Sequence, residues 1–178
     1  SWITTDPSGE ATHPVLGTAV PGTHLSGMAN LPNVRVIAGC DISETARDRF
    51  IERWDTTWPG LVVYDDFEQM LAEVPLDVVA VATPDHLHGA VVKAAANAGV
   101  KAIFCEKPIS THTDEVDDMI AAIDANGIVV NVNHTRRWGP TWVATREVLR
   151  AGAIGELVTV IGKFGGERAM LWRNSSHI

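Results

Sequence analysis

The sequence predicts an α/β fold with a doubly wound parallel sheet. From residue 33 onward, short runs rich in β-branched residues alternate with longer amphipathic stretches. This alternation is typical of βαβ units, in which a helix connects two parallel strands. Composition agrees, because 46% of the 178 residues are hydrophobic and 20% are charged, an ordinary balance for a globular domain.

The individual elements follow from hydrophobic periodicity and from helix stop signals. Residues 77–82 are apolar almost throughout, which predicts a strand buried on both faces. Gly99, Gly127 and Gly152 each follow an amphipathic stretch, where glycine commonly ends a helix. The predicted strands are 34–40, 61–64, 77–82, 100–105, 128–132 and a half-exposed 157–164. The predicted helices are 43–54, 66–74, 86–98, 114–125 and 140–151.

A domain boundary is predicted where the parallel-sheet rhythm ends, near residues 136–140. We expect a first domain at 1–138 and the beginning of a second, α+β domain at 139–178. About forty residues are too few for an independent core of typical size. The chain therefore looks truncated, or its second domain is unusually small.

Charge and cysteine content exclude several classes of protein. The formal net charge is −8, so nucleic acid and anionic membranes are not expected partners. Cys40 and Cys105 are the two cysteines, and they lack metal-type spacing. This favours a reducing compartment, and we expect both to be small buried core residues. The seven histidines form no recognisable metal site. With no membrane span or signal peptide in the sequence, we expect a soluble cytoplasmic protein.

Residues 17–22 have the spacing of a dinucleotide-binding loop. Gly17 would permit the tight turn, Ala19 stands where a glycine lets backbone approach a pyrophosphate, and Gly22 would allow close helix packing. Asp41, nineteen residues after Gly22, is placed to accept hydrogen bonds from the ribose hydroxyls and to repel a 2′-phosphate. This favours NAD over NADP. The alternatives are a chance glycine pattern and an aspartate that caps a helix, and residues 10–16 make a poor first strand.

Three polar clusters follow three consecutive predicted strands. Since parallel strands end at one edge of a sheet, these clusters should meet where α/β proteins bind ligands. The clusters are residues 82–88, Cys105-Glu106-Lys107-Pro108-Ile109-Ser110, and residues 133–140.

Together these segments resemble the signatures of the glucose-fructose oxidoreductase/inositol dehydrogenase (Gfo/Idh/MocA) family. The corresponding family features are a Thr-Pro-Asx-x-x-His turn, a Glu-Lys-Pro motif and a His-x-Arg-Arg segment, and the resemblance runs from Gly17 to His177. It implies a Rossmann-type domain that binds NAD, a sugar or polyol substrate, and a homo-oligomer in the full-length protein.

The resemblance also implies roles for single residues. Lys107 would contact the substrate hydroxyl that becomes a carbonyl, a task that suits an enclosed ammonium. Glu106 would orient Lys107 or lie near the nicotinamide ribose. Thr83, Pro84 and His88 would contact the cofactor. Arg137 would bridge the two domains and contact the substrate, and His177 would act as the acid/base catalyst. Arg173 stands where many members have aspartate, and it would bind a carboxylate or phosphate of the substrate.

Each of these residues also has an ordinary structural interpretation. Lys107 would be a solvated lysine at a strand end, and His88 a core histidine on a helix. Arg136 and Arg137 would be a surface pair bound to backbone carbonyls.

The leading hypothesis is hydride transfer between NAD and a secondary alcohol of a sugar or polyol. Three alternatives remain open. The first is a non-catalytic dinucleotide-binding regulatory protein, motivated by the altered loop and the missing aspartate. The second is an NAD-dependent glycosidase, and the third is a fragment whose loop no longer binds a cofactor.

Overall fold

The computed structural model describes residues 10–12, 19–21 and 23–162. The chain divides into two compact units, Ser1–His134 and Thr135–Ile178. The division lies four residues before the predicted boundary between residues 138 and 139. That the second unit belongs to a substrate domain stays a prediction.

The first unit contains seven strands and five α-helices among its described residues. In chain order they are β1 (Glu10–Thr12), β2 (Ala19–Pro21), α1 (His24–Met28), β3 (Ala38–Cys40), α2 (Glu44–Trp54), β4 (Val62–Tyr64), α3 (Phe67–Glu73), β5 (Val78–Val81), α4 (His88–Asn97), β6 (Ala102–Cys105), α5 (Thr113–Asn126) and β7 (Val129–Val132). The alternation of strand and helix from β3 to β7 confirms the predicted α/β class.

All pairings from β3 onward are parallel, as predicted. β3 pairs with β4, and β6 lies between β5 and β7 in a three-stranded sheet. These two groups correspond to the two halves of a doubly wound sheet, in which the first strand normally lies between the second and the fourth. Among the described residues no strand joins the groups, and β1 and β2 pair with each other in a separate antiparallel sheet.

Helix ends follow the local sequence closely. The Ser43 side chain accepts the N–H of Ala46 at 3.4 Å and caps α2, while Asp66 caps α3 by accepting the N–H groups of Glu68 and Gln69. Gly127 ends α5 with φ 64°, a left-handed conformation that glycine adopts without the steric cost of a Cβ. The predicted helix at residues 86–98 begins later, since a 3₁₀ turn (Asp85–Leu87) precedes α4.

Two apolar clusters hold the first unit together. One lies between α4, α5 and the β5–β6–β7 sheet and is built around Val81, Val92, Ile103 and Met119, each at most 1% exposed. The other surrounds Trp54 and Trp58, whose ring centroids are 5.3 Å apart. The first cluster lies directly beneath the strand ends that carry the predicted site, so it fixes their position.

The structure contradicts three of the predictions made for strands and for buried residues. Residues 77–82 were expected to be buried on both faces, but only Val79 and Val81 are buried while Val78 is 52% exposed, because the described helices cover one face of β5. Cys40 is exposed at the end of β3, whereas Cys105 is buried as expected. The half-exposed strand predicted at residues 157–164 is absent from residues 157–162, the described part of it.

The second unit is described from Thr135 to residue 162. A 3₁₀ turn (Thr135–Trp138) leads into α6 (Pro140–Arg150), which starts at a proline as predicted. Gly152 follows with φ 73°. No helix in the described part of the chain is long and apolar enough to cross a membrane.

Candidate active site

The carboxyl ends of β5, β6 and β7 form one polar edge, as the parallel pairing requires. Val81 pairs with Cys105, and Cys105 pairs with Val132. The ladder continues one residue further, since Glu106 donates its N–H to Val81 O at 2.9 Å and Asn133 donates to Cys105 O at 2.8 Å. The structure therefore brings the three predicted polar clusters together, as far as residue 134 of the third.

Glu106 is the best-connected side chain of this edge. Its Oε1 lies 2.6 Å from Asn133 Nδ2 and 2.7 Å from His24 Nε2, and its Oε2 accepts the Lys107 N–H at 3.3 Å. Burial alone would raise the pKa of Glu106, but the hydrogen bonds from Asn133, His24 and Lys107, together with the Coulombic effect of His24, outweigh it and leave the pKa below its usual range. The carboxylate is therefore held in its charged form.

Lys107 lies next to this carboxylate and is exposed. Among the described residues, no ion pair links its ammonium to Glu106; the contact is made by the Lys107 backbone N–H. The orienting role of Glu106 and the substrate contact of Lys107 stay predictions.

The His88 ring contacts the main chain of two of the three clusters, its own and the one that contains Lys107. Its side chain is fully buried; Nε2 lies 2.9 Å from Thr83 O and Nδ1 lies 2.7 Å from Pro108 O. Both ring nitrogens face backbone carbonyls, so the ring is not presented to a ligand. The structure favours the core interpretation of His88 over a direct cofactor contact, with His88 tying the Thr83 turn to the turn after Lys107.

Thr83 and Pro84 occupy the turn after β5. Pro84 is exposed, and Thr83 Oγ1 is a buried polar atom without a hydrogen-bond partner among the described residues. An unpartnered buried hydroxyl costs free energy unless a polar group of a ligand or a water molecule satisfies it. This edge therefore fits a polar ligand, and a cofactor contact at Thr83 and Pro84 stays a prediction.

Asp41 lies at the corresponding end of β3. Its Oδ1 accepts the N–H of Ser43 at 2.9 Å, so it forms a local turn, while Ser43 rather than Asp41 caps the helix. Arg47 donates to the main-chain oxygen of Asp41 at 2.7 Å. Sequence reasoning missed this arginine, which brings a positive charge close to the proposed ribose ligand.

The predicted dinucleotide loop is only partly described. Ala19 lies in β2, which pairs with β1, and not in a turn. Gly17 and Gly22 lie outside the described residues. The next described residue, Thr23, begins α1 with a capping box in which Thr23 and Ser26 each accept the other's backbone N–H.

The remaining predicted site residues lie in the second unit. Arg137 is exposed in the 3₁₀ turn, with its guanidinium carbon 5.9 Å from the centroid of the Trp138 ring. His177 and Arg173 lie outside the described residues, so their roles stay predictions.

Sequence reasoning also missed His24 as a member of the site. The contact with Glu106 joins residues 82 positions apart, and no motif spacing indicates it. Asn133 belongs to a quoted motif but had no assigned role. No group of three or more metal-binding side chains occurs in the described ranges.

Comparison with known proteins identifies a family that matches most of this chain. The model of a family described as "Oxidoreductase family, NAD-binding Rossmann fold" (GFO_IDH_MocA) matches residues 15–134. Inositol 2-dehydrogenase 1 of Saccharopolyspora erythraea is 32% identical over 149 residues, or 82% of this chain and 43% of that protein. D-apiose dehydrogenase of Paraburkholderia graminis is 34% identical over 137 residues, or 74% of this chain and 34% of that protein.

Solved structures show the same fold. The crystal structure of scyllo-inositol dehydrogenase from Lactobacillus casei, with bound NAD(H) and scyllo-inositol, matches with a TM-score of 0.68 at 20% identity. The match covers 75% of this chain and 38% of that one. The chain thus spans less than half the length of these relatives.

Proposed function

The chain belongs to the Gfo/Idh/MocA family of NAD-binding Rossmann oxidoreductases, and on that basis we propose that the protein oxidises a secondary alcohol of a polyol or sugar with NAD. The observation that carries the proposal is the Thr83, Glu106–Lys107 and Asn133 edge, where an exposed lysine stands beside an ionised, fixed carboxylate. Relatives named as inositol and D-apiose dehydrogenases support the substrate class.

Lys107 is the residue we assign to the substrate oxygen. A protonated lysine is a strong hydrogen-bond donor, and it stabilises negative charge as the hydroxyl oxygen becomes a carbonyl oxygen. Bound NAD would supply the hydride acceptor. His177 would take the hydroxyl proton, while Arg137 and Arg173 would bind the rest of the substrate.

NAD is proposed over NADP because of Asp41. A carboxylate at the end of β3 would accept hydrogen bonds from the adenosine ribose and repel a 2′-phosphate. Arg47 acts in the opposite sense, because an arginine near this position would attract that phosphate. A direct comparison of the two cofactors therefore decides this point.

Lys107→Met tests the catalytic assignment. We expect a loss of turnover of at least about a hundredfold on a panel of inositols and sugars, with NADH affinity unchanged. Lys101→Met is the matched control. Lys101 precedes β6, at the opposite end of the strand from Lys107, and its ammonium lies 2.6 Å from Asp77 Oδ1. Unchanged turnover in Lys107→Met would remove Lys107 from the mechanism.

A regulatory protein without catalysis is the second candidate. It is favoured by one specific observation, the strand at Ala19 where a tight turn is expected. Cofactor binding without turnover on any member of the alcohol panel would support this candidate over the dehydrogenase.

A further inference from the structure

We propose that His24 is a positioning residue for Lys107 and that it acts through the Glu106 carboxylate. The inference rests on the proposed function, in which Lys107 contacts the substrate oxygen. His24 is the first residue of α1, two positions after the predicted dinucleotide loop, and Glu106 follows β6. Their contact therefore connects the cofactor segment to the lysine.

The geometry fixes the His24 ring on two sides. Nε2 lies 2.7 Å from Glu106 Oε1, and the ring packs edge-on against Phe104, with centroids 5.0 Å apart and planes inclined at 69°. The side chains of His24 and Glu106 are 12% and 14% exposed, so water competes little for this bond.

The direction of the hydrogen bond follows from the chemistry of the two groups. An ionised carboxylate only accepts, so Nε2 must carry the proton that it donates. His24 Nδ1 is buried and has no partner among the described residues. A ring that carries a proton on Nε2 satisfies the contact.

The Glu106 carboxylate, held by His24, in turn holds the main chain of Lys107. The groups that face its carboxylate are the His24 ring, the Asn133 amide and the Lys107 backbone N–H. Two donors hold Oε1, and the lysine backbone is held at Oε2. Loss of the His24 donor would leave Asn133 alone on Oε1, allow the carboxylate to rotate, and loosen the main chain that carries the lysine.

Two substitutions separate this role from simple packing. His24→Gln keeps an N–H donor at similar reach, whereas His24→Leu keeps the apolar volume and removes the donor. A role in packing alone would make the two variants similar, or favour leucine. A positioning role requires glutamine to rescue what leucine loses.

Titration of the Glu106 carboxyl carbon by NMR, in the wild-type chain and in both variants, tests the contact without cofactor or substrate. We expect the ionisation midpoint in His24→Leu to move upward by on the order of one pH unit, because a donor to the charged form is lost. His24→Gln should stay close to wild type. An unmoved midpoint in His24→Leu, or equal shifts in both variants, would overturn the proposal.

Ring nitrogen shifts of wild-type His24 give a test that needs no variant to fold. We expect protonation at Nε2, and a ring protonated at Nδ1 alone would contradict the proposal. If the protein turns over a polyol, His24→Leu should lower kcat about tenfold or more while KM for NAD changes less than about twofold, and His24→Gln should restore kcat. Unchanged kcat in His24→Leu would also overturn it.

The two claims fail separately. Absence of turnover in the wild-type protein contradicts the proposed function and leaves the NMR results to decide the contact. Turnover with an unmoved Glu106 midpoint contradicts the role of His24 and leaves the function standing.

Discussion

Replacing His88 with leucine tests how the polar edge is held in place. The ring is fully buried, and its two nitrogens face the carbonyls of Thr83 and Pro108 at 2.9 and 2.7 Å. Leucine fills a similar volume but donates no hydrogen bond. The substitution therefore isolates the polar role of the imidazole from its packing.

The magnitude follows from the number of bonds lost. A neutral imidazole donates through one nitrogen and an imidazolium through both. A partly buried carbonyl left without its donor costs at most about 1–3 kcal/mol. His88→Leu should thus lower the free energy of unfolding by about 1–3 kcal/mol for one bond, and by up to about 6 kcal/mol if both nitrogens donate.

Guanidinium denaturation followed by circular dichroism measures this loss. His86→Leu is the matched control, because His86 lies two residues away in the exposed 3₁₀ turn. The control should change the free energy of unfolding by no more than about 0.5 kcal/mol. A His88→Leu variant as stable as His86→Leu would refute the conclusion that His88 ties the two turns together.

Two further predictions concern the core and the acid limit of stability. Met119→Ala removes a fully buried side chain from the cluster beneath the site and should lower the free energy of unfolding by about 2–5 kcal/mol, measured by denaturation. Ile120→Ala, at a position 49% exposed, should lower it clearly less. Equal losses in the two variants would contradict the packing described. Glu106→Gln should cost stability at pH 7 and progressively less on acidification. The reason is that a carboxyl with a lowered pKa contributes its stability above the unfolded value of about 4.3 and loses it as the pH falls through the folded value. Urea melts of both proteins between pH 3 and pH 7 would measure this, and a constant difference across that range would contradict the sign.

The parallel half of the fold could be predicted from the sequence because its signals are local. Ser43 and Asp66 are strong cap residues, Gly127 supplies a left-handed helix end, and the strands between them are β-branched. Once the strands are parallel, their carboxyl ends must share an edge. The grouping of Thr83, Lys107 and Asn133 therefore follows from strand order alone.

Other features depend on contacts that no local pattern encodes. The bond between His24 and Glu106 joins residues 82 positions apart, and His24 belongs to none of the polar clusters. The exposure of Val78 depends on which face of β5 the helices cover, and an apolar run does not specify this. His88 was assigned to the cofactor from a motif, whereas its environment shows that both nitrogens face the main chain.

Titration of the chain with NADH and with NADPH tests the central claim most directly. Energy transfer from the six tryptophans to the reduced nicotinamide reports binding of either cofactor. We expect saturable NADH binding and weaker NADPH binding, with the preference reduced in Asp41→Ala. Absence of binding for both cofactors would contradict the assignment of a nicotinamide-dependent oxidoreductase site to this chain.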